Sequence, residues 1–473
     1  MTGAATTGEP STDALLSSAI ASESEGDIAT AEHAYRTLLA RAPRHAIANH
    51  NLGNLMLGRG DTREAIALLR SALQAEPQQN AHWLSYAKAL RAGGHPREAA
   101  LVIDRARQSG FSGAGFDALE AALLTEQAEQ DPVRMLTRAE AQGDARLAAR
   151  AATALAAYND VAGAIAACRR ALAIDPDLPE VHFQLGSLLS ENGCIAEGFA
   201  HFMRRAWLVR SSDDGATGNA GELPHKRKHD REQRAFLDAM GAGGDTRFRL
   251  ADGSRLAGHA VNPANATAAL ADRWQAAAPP FLVIDDFLTP VALEKLRAYC
   301  AGSTIWHRVY EAGYIGATLE DGLAAPLMAQ IAEEIATLFP AIIDAHPFRY
   351  AGAFKYDSAA AKGTNTHADF SAINVNFYIT PDEANLDPAS GGLEIWDVVL
   401  PDEATMRRIN SDEAEARAFL ERSGAARTIV PHRANRAIFF RSGLVHRTDR
   451  YVFAEGYLNQ RINVSLLYGR FGG

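Results

Sequence analysis

Residues 46–79 read AIANHNLGNLMLGRGDTREAIALLRSALQAEPQQ, a segment with the pattern of two short helices joined by a tight turn. Gly60 stands where the chain must turn, because glycine adopts left-handed backbone conformations without steric cost. Ala65 is small enough to let the two helices approach closely, and Pro77 ends the second helix because proline cannot continue it. The segment therefore predicts a helix pair.

The same residue types return every 34 positions in the neighbouring sequence. The recurring positions are Gly26, Gly60 and Gly94; Ala31, Ala65 and Ala99; and Pro43 and Pro77. A fixed period of this length is typical of a repeat array, and in these residues the chain resembles the tetratricopeptide repeat (TPR). The register weakens between 114 and 144 and returns from Ala164 onward, so we expect about six units over residues 12–210, the fourth degenerate. An unrelated alanine-rich helical bundle is the alternative.

The resemblance to TPR proteins implies an all-α solenoid with a concave groove. Such a groove suits an extended peptide or a helix of another protein, so a protein or peptide partner is expected. Repeats of this kind carry no chemistry of their own. Any catalytic residues are therefore expected outside the array.

Composition and charge limit the classes of protein that need to be considered. The chain has 473 residues, 47% of them hydrophobic, and is about three times as long as a typical domain. Its net charge of −10 gives no sign of nucleic-acid binding, and its three cysteines form no CxxC pair. The sequence shows neither a signal peptide nor an apolar run long enough for a membrane helix. We expect a cytoplasmic protein that binds neither nucleic acid nor membrane, with the oligomeric state left open.

These patterns divide the chain into four segments. They are a disordered tail at 1–11, the repeat array at 12–210, a linker and connector at 211–277, and a further domain at 278–473. The connector contains a basic run at 225–234, HKRKHDREQR. Acidic residues dilute its charge, so a helix with solvent-exposed charged side chains is favoured over a nucleic-acid patch.

After residue 278 a short β-type run and two stretches of helical spacing come first, and from residue 347 onward the apolar pattern changes to short alternating strands. The predicted strands are FRYAGAFKY (348–356), INVNFYIT (373–380), LEIWDVV (393–399), RAIFF (436–440) and RINVSLLY (461–468). Helices followed by antiparallel strands favour an α+β domain with a double-sheet roll, or jelly roll. Asn374 and Asn376 share the polar face of one strand, and Asn463 and Ser465 that of another. These faces either meet solvent or line a ligand cavity.

Only one of the fifteen histidines begins a His-x-acidic triplet, His367-Ala368-Asp369. Residues i and i+2 of an extended segment point the same way, so the imidazole and the carboxylate can reach one ion. His446 follows a later predicted strand and can supply a third ligand. Two histidines and one carboxylate are the ligands of non-haem Fe(II) oxygenases. The triplet alone occurs by chance, and a histidine at a strand end is usually only hydrogen-bonded, so the combination carries the prediction.

With these residues, the segment 278–473 resembles the 2-oxoglutarate- and Fe(II)-dependent dioxygenases, especially their prolyl-4-hydroxylase-like branch. The resemblance rests on FLVIDDFL (281–288), THADFSAINVNFYIT (366–380), GGLEIWD (391–397), NRAIFFRSGLVH (435–446) and GYLNQRINVSLLYG (456–469). It implies a double-stranded β-helix with His367, Asp369 and His446 as the catalytic, iron-binding triad. It also implies Fe(II) as cofactor and 2-oxoglutarate and O2 as cosubstrates, with ascorbate as an optional addition.

The resemblance further implies a binding site for 2-oxoglutarate. Arg461 is similar to the basic residue that holds the distal carboxylate, a task that suits the two parallel hydrogen bonds of a guanidinium. Ser465, Tyr356 and Tyr378 are candidates for further hydrogen bonds to the cosubstrate, although tyrosines also line most β cores. Arg450 lies closer to His446 in the chain and is the rival anchor.

Together these features predict a hydroxylase that acts on a protein or peptide side chain recruited by the repeat array. In the resembled family, loss of the carboxylate leaves a position for halide, so Asp369 favours hydroxylation. Small-molecule and glycan substrates stay open. The alternative is a non-enzymatic TPR adaptor whose jelly roll is a catalytically idle binding module.

An insertion at 401–426 reads as helical and charged, and is either a lid or a solvent-exposed excursion.

Overall fold

The computed structural model describes residues 10–129, 131–211, 223–244, 248–360 and 364–472. Nearly all of the disordered tail predicted at 1–11 lies outside these ranges. The chain divides into two compact units, and the boundary along the sequence lies between Arg138 and Ala139. None of the described helices is both long enough and apolar enough to span a membrane.

The first unit consists of helices that pack in pairs, α1 with α2, α3 with α4 and α5 with α6. Its helices are α1 (Thr12–Ser24), α2 (Ile28–Arg41), α3 (Ala46–Gly58), α4 (Thr62–Ala75), α5 (Asn80–Ala92), α6 (Pro96–Gln108), α7 (Ala114–Glu129) and α8 (Pro132–Gln142), which crosses the unit boundary. The turn between α3 and α4 has local causes. Gly60 adopts a φ of +84°, and the Asp61 carboxylate accepts a hydrogen bond from the Glu64 backbone N–H at 3.2 Å. The helical array agrees with the prediction for this part of the chain.

The second unit begins with two more helix pairs. They are α9 (Ala145–Ala157) with α10 (Val161–Ile174), and α11 (Pro179–Glu191) with α12 (Ile195–Ser211). Helix α12 contributes Phe199 to the core that underlies the sheets, and its ring lies 5.3 Å from that of Phe348. Arg210 on the same helix pairs with the buried Asp321 at 3.0 Å. The array ends at Ser211, close to the expected residue 210, but its last four helices belong to the compact unit that contains the sheets.

The described residues of the second unit form ten strands in two antiparallel sheets. The strands are β1 (Phe281–Ile284), β2 (Arg308–Tyr310), β3 (Tyr314–Thr318), β4 (Phe348–Tyr356), β5 (Ile373–Tyr378), β6 (Leu393–Val399), β7 (Arg427–Val430), β8 (Ala437–Arg441), β9 (Leu444–Thr448) and β10 (Arg461–Tyr468). The larger sheet has the order β1-β8-β5-β10-β4-β3-β2, and the smaller one the order β7-β6-β9. Each predicted strand corresponds to one of these elements.

Alternation along the strands separates an outer from an inner face of the larger sheet. The outer residues Val375, Phe377, Val464 and Leu466 share one core with helices α15 (Pro290–Gly302) and α16 (Pro326–Leu338). The inner residues Tyr378, Ile438 and Phe440 pack instead with Leu393 and Ile395 of the smaller sheet. The inner face of the larger sheet therefore meets the smaller sheet, and the polar residues of β5 and β10 lie on it.

Helix α13 (Pro224–Ala239) contains the basic run at 225–234, and it has both exposed arginines, as expected, and a buried face, which was not predicted. His229, Gln233 and Leu237 are buried, because their spacing places them on one face of the helix. Gln233 donates hydrogen bonds from Nε2 to the Ser303 carbonyl at 3.0 Å and to the Tyr457 hydroxyl at 2.9 Å. Polar groups that find such partners can be buried despite the charge of the surrounding sequence.

Four shorter helices complete the second unit. They are α14 (Ala268–Ala276), α17 (Pro340–Ile343), α18 (Glu403–Ser411) and α19 (Glu413–Ser423). The last two form the insertion predicted to be helical at 401–426. They pack against the smaller sheet through Met406, Ile409 and Ala416, which share a buried cluster with Trp396 of β6.

Candidate metal centre and adjoining cavity

His367, Asp369 and His446 converge at one end of the two sheets. His367 pairs with His446 in an antiparallel bridge, with N–H to carbonyl hydrogen bonds of 2.9 and 2.8 Å in the two directions. The bridge sets the two imidazole rings side by side, with centroids 4.4 Å apart. One ligand atom from each of the three residues lies within 4.8 Å of the other two, and His446 Nε2 is 3.5 Å from Asp369 Oδ2. The structure thus brings the three predicted ligands together.

Backbone carbonyls set the tautomers of both histidines. His367 Nδ1 lies 2.8 Å from the Asn365 carbonyl oxygen, and His446 Nδ1 lies 2.9 Å from that of Leu444. A carbonyl oxygen only accepts, so Nδ1 carries a proton in each ring, and the neutral form of each ring presents its lone pair on Nε2. Burial, and next the proximity of His367, lowers the pKa of His446 below its usual value, which keeps the imidazole neutral. A neutral imidazole with a free Nε2 is the form that binds metal.

Asn374 orients the carboxylate of the triplet. Its Nδ2 donates a hydrogen bond of 2.6 Å to Asp369 Oδ2. Its Oδ1 is buried and finds no hydrogen-bond partner among the described residues. Sequence reasoning assigned Asn374 no role at the centre, although it noted that this side chain shares the polar face of its strand with Asn376.

A cavity of about 120 Å³ lies beside the triplet. Its wall includes the triplet and the side chains of Tyr314, Tyr350, Phe354, Tyr356, Asn374, Asn376, Asn463 and Ser465. The polar faces of β5 and β10 therefore line a cavity. Asn376 Oδ1 is buried there without a partner among the described residues, and a buried polar atom of this kind normally bonds to water or a ligand.

Arg461 lies behind this cavity and is only 1% exposed. Its Nε donates to the Gly391 carbonyl at 2.6 Å, its Nη2 to that of Gly392 at 3.2 Å, and its Nη1 to Asn463 Oδ1 at 2.9 Å. Among the described residues it forms no ion pair, so neutral oxygens surround a buried guanidinium. Arg450, the rival, has a side chain that is 80% exposed and pairs with Asp387 at 3.2 Å.

Of the other predicted cosubstrate contacts, the two tyrosines lie next to Arg461 and the serine does not. The rings of Tyr356 and Tyr378 flank its guanidinium, with centroids 4.6 and 5.1 Å away. Burial raises the pKa of Tyr378 to about 12 and also raises that of Tyr356, so both hydroxyls remain protonated donors. Ser465 accepts a hydrogen bond from Asn376 at 3.0 Å rather than assisting Arg461. Four residues of extended strand span about 13 Å, which places the serine too far away.

Comparisons with known proteins support the assignment of the helical array. Residues 24–83 and 56–123 match the family model of the tetratricopeptide repeat. No curated protein gave a significant match. TPRs therefore make up this part of the chain.

Similarities to solved structures are weak. MamA residues 41 to the end from Desulfovibrio magneticus RS-1 is 22% identical, covers 36% of this chain and 97% of its own, and has a TM-score of 0.21. The TPR2AB domain of yeast Sti1 in complex with pHSP90 is 12% identical, with coverages of 44% and 93% and a TM-score of 0.22. SnoK, a non-heme alpha-ketoglutarate-dependent carbocyclase from nogalamycin biosynthesis, is 13% identical, with coverages of 45% and 87% and a TM-score of 0.33. TM-scores this low do not establish a shared fold. What the comparisons establish is that this is a chain with tetratricopeptide repeats in its N-terminal part.

Proposed function

We propose that the second unit is an Fe(II)- and 2-oxoglutarate-dependent dioxygenase built on a double-stranded β-helix. The proposal is carried by one observation: two histidines and one carboxylate bring their ligand atoms within 4.8 Å of one another beside a polar cavity. Both histidines are held in the tautomer that offers Nε2 to a metal. This ligand set leaves coordination positions open, as a metal that binds cosubstrates requires.

The residues present fit an iron ion. His367 Nε2, His446 Nε2 and a carboxylate oxygen of Asp369 would hold it, and Asn374 would keep the carboxylate oriented through its 2.6 Å hydrogen bond. Bound Fe(II) and 2-oxoglutarate supply O2 activation, in which 2-oxoglutarate becomes succinate and CO2 while one oxygen atom enters a C–H bond of the substrate. The share of the protein is to orient these groups and to exclude water.

Arg461 is the residue we assign to the distal carboxylate of 2-oxoglutarate. Its guanidinium is buried, it has no carboxylate partner among the described residues, and carbonyl oxygens now occupy its donors. A carboxylate accepts stronger hydrogen bonds from a guanidinium than a neutral oxygen does, so it can replace these acceptors. The protonated hydroxyls of Tyr356 and Tyr378, whose rings flank the guanidinium, are further donors to an anion.

A protein or peptide is the substrate class we propose. The TPRs offer a binding surface for an extended segment, and covalent linkage to the second unit raises the local concentration of a bound substrate. The aromatic side chains of Tyr314, Tyr350 and Phe354 in the cavity wall would shield the reacting side chain from water.

Oxygen-dependent conversion of 2-oxoglutarate to succinate tests the proposal. The full-length protein with Fe(II) and ascorbate should form succinate, and Asp369→Ala should not. When a peptide that binds the repeats is added, succinate formation should rise and the peptide should gain the mass of one oxygen atom. Absence of succinate under all these conditions, in protein that still binds peptide, would support the non-enzymatic adaptor.

A further inference from the structure

The segment that carries His367 and Asp369 lies along β9, an edge strand of the smaller sheet. On one side, the backbone of His367 pairs with His446, and the Asp369 N–H donates to the Ser442 carbonyl at 3.0 Å. Peptide groups alternate in direction along an extended segment, so those of Thr366 and Ala368 point to the opposite side. No strand of the described residues pairs with them there. Unpaired backbone groups at such an edge need other partners.

Side chains of the inserted helices α18 and α19 supply these partners. Asn410 makes two hydrogen bonds to Ala368: its Oδ1 accepts from the backbone N–H at 3.0 Å, and its Nδ2 donates to the carbonyl at 2.8 Å. Glu413 accepts from the Thr366 backbone N–H at 2.7 Å and from its hydroxyl at 2.9 Å. Four hydrogen bonds from two neighbouring side chains therefore hold the segment on either side of His367.

The side chains follow the same alternation. His367 and Asp369 face the cavity, whereas Ala368, only 1% exposed, shares a buried cluster with Met406 and Ile409 of α18. Two residues after Ala368, the ring of Phe370 lies beneath the guanidinium of Arg407, 5.0 Å from it. The outward side of the ligand-bearing segment is thus covered by the insertion.

The insertion also contacts the strand that carries the third ligand. Val445, which precedes His446, is buried in the cluster that includes Met406 and Ile409. Arg447, which follows His446, has its guanidinium 3.9 Å from Glu413. Both ligand-bearing segments therefore rest on the same two helices.

We infer that the insertion 401–426 is a positioning element of the metal centre, in which Asn410 and Glu413 fix the separation and direction of the three ligands. This inference rests on the proposed function and assigns the insertion a role other than a lid or a solvent-exposed excursion. Groups that orient metal ligands affect metal affinity about 10- to 100-fold when they are removed.

Titration of the whole chain with Mn(II) tests the inference without turnover. The EPR signal of the free ion gives the concentration of unbound Mn(II) at each step. Asn410→Ala and Glu413→Ala should each weaken Mn(II) binding about tenfold or more. Glu413→Gln should bind Mn(II) nearly as tightly as the wild type does, because its amide can still accept from the Thr366 N–H and donate to the Thr366 hydroxyl. Arg417→Ala, at an exposed position of α19, is the matched control and should bind as the wild type does.

Thermal unfolding with and without Mn(II) separates positioning from stability. In the alanine variants, the rise in melting temperature that Mn(II) causes should be smaller than in the wild type. A variant that melts lower without metal but keeps the full rise and the wild-type affinity would overturn the inference. If Asn410→Ala does not fold, the partly exposed Glu413 decides the outcome through its alanine and glutamine variants. Failure of the wild type itself to bind Mn(II) would refute the proposed function as well.

Discussion

The rings of His367 and His446 are oriented by the same kind of contact, since each donates Nδ1–H to the carbonyl of the residue two positions earlier. The predicted HxD spacing identified the first of these residues, and its place after a predicted strand identified the second, although the structure places His446 inside β9. The residues that form hydrogen bonds with these ligands could not be predicted. Asn374 was visible only as a polar residue on one face of a strand, and its contact with Asp369 depends on how the chain turns between them.

Removal of the Asn374 amide should weaken the metal centre. Asn374→Ala deletes the hydrogen bond that orients Asp369 Oδ2, so Mn(II) affinity should fall about tenfold. Asn376→Ala is the matched control, because this residue lines the same cavity but donates to Ser465 instead. Calorimetric titration with Mn(II) measures both. Equal affinities in the two variants would show that Asn374 does not orient the carboxylate.

Arg461→Ala should raise the KM for 2-oxoglutarate about tenfold or more, because a charge-assisted, bidentate contact is lost. Mn(II) affinity should stay near the wild-type value, since Arg461 does not touch the triplet. Arg450→Ala, at an exposed position, serves as the control and should leave KM unchanged. Initial rates of succinate formation measure both variants. If Arg450→Ala raised the KM strongly and Arg461→Ala did not, Arg450 rather than Arg461 would be the residue that binds the distal carboxylate.

At the scale of elements, local patterns were predictable and long-range contacts were not. The pair α3 and α4 lies within the segment 46–79, because glycine, capping aspartate and proline act within a few residues. Strand β10 coincides with RINVSLLY because polar and apolar residues alternate along most of it, which is also a local signal. The buried face of α13 was not predicted, since nothing near it in the sequence reveals that Gln233 contacts Ser303 and Tyr457.

The buried face of α13 predicts a pH dependence of stability. Burial, and next the charge of Lys355, lowers the pKa of His229 from 6.5 to about 3. The unfolded chain takes up a proton below pH 6.5, whereas the folded protein does not until about pH 3. The contribution of the neutral His229 to the stability of the fold is therefore complete above pH 6.5 and is lost as the pH falls from 6.5 towards 3.

Urea unfolding at pH 7 and pH 5 measures this dependence. At pH 5 the wild type should lose about 2 kcal/mol through His229 alone, and His229→Leu should lose that much less between the two pH values. His259→Leu, which removes an exposed histidine of the same unit, should keep the wild-type difference. Identical pH dependences for all three proteins would show that His229 is not kept neutral by the fold.

At the scale of the whole molecule, the change of composition near residue 210 lies close to the end of the paired helices α1 to α12 but not at the end of a compact unit. Phe199 and Arg210 lie in helical sequence, yet their partners Phe348 and Asp321 belong to the sheet region. Contacts between residues this far apart in the chain leave no periodic signal. A helical array and an antiparallel sheet region were therefore predictable, whereas the unit to which the last four helices of the array belong was not.

A fragment comparison checks this arrangement. Residues 139–473 should fold and bind Mn(II), because they contain the whole second unit. Residues 212–473 should melt at a lower temperature or aggregate, because the core around Phe348 loses Phe199 and the buried Asp321 loses Arg210. Circular dichroism during heating measures both fragments. Equal melting temperatures would contradict the assignment of α12 to the core of the second unit.

The central claim is that the second unit binds Fe(II) and 2-oxoglutarate together. Anaerobic titration of the Fe(II)-loaded, full-length protein with 2-oxoglutarate, followed by visible absorption, tests it most directly. The wild type should develop the charge-transfer absorption of an Fe(II) 2-oxoacid chelate and saturate at one 2-oxoglutarate per chain, whereas His446→Ala should not. A wild-type protein that is folded and supplied with Fe(II), yet neither develops this absorption nor binds 2-oxoglutarate, would contradict the account.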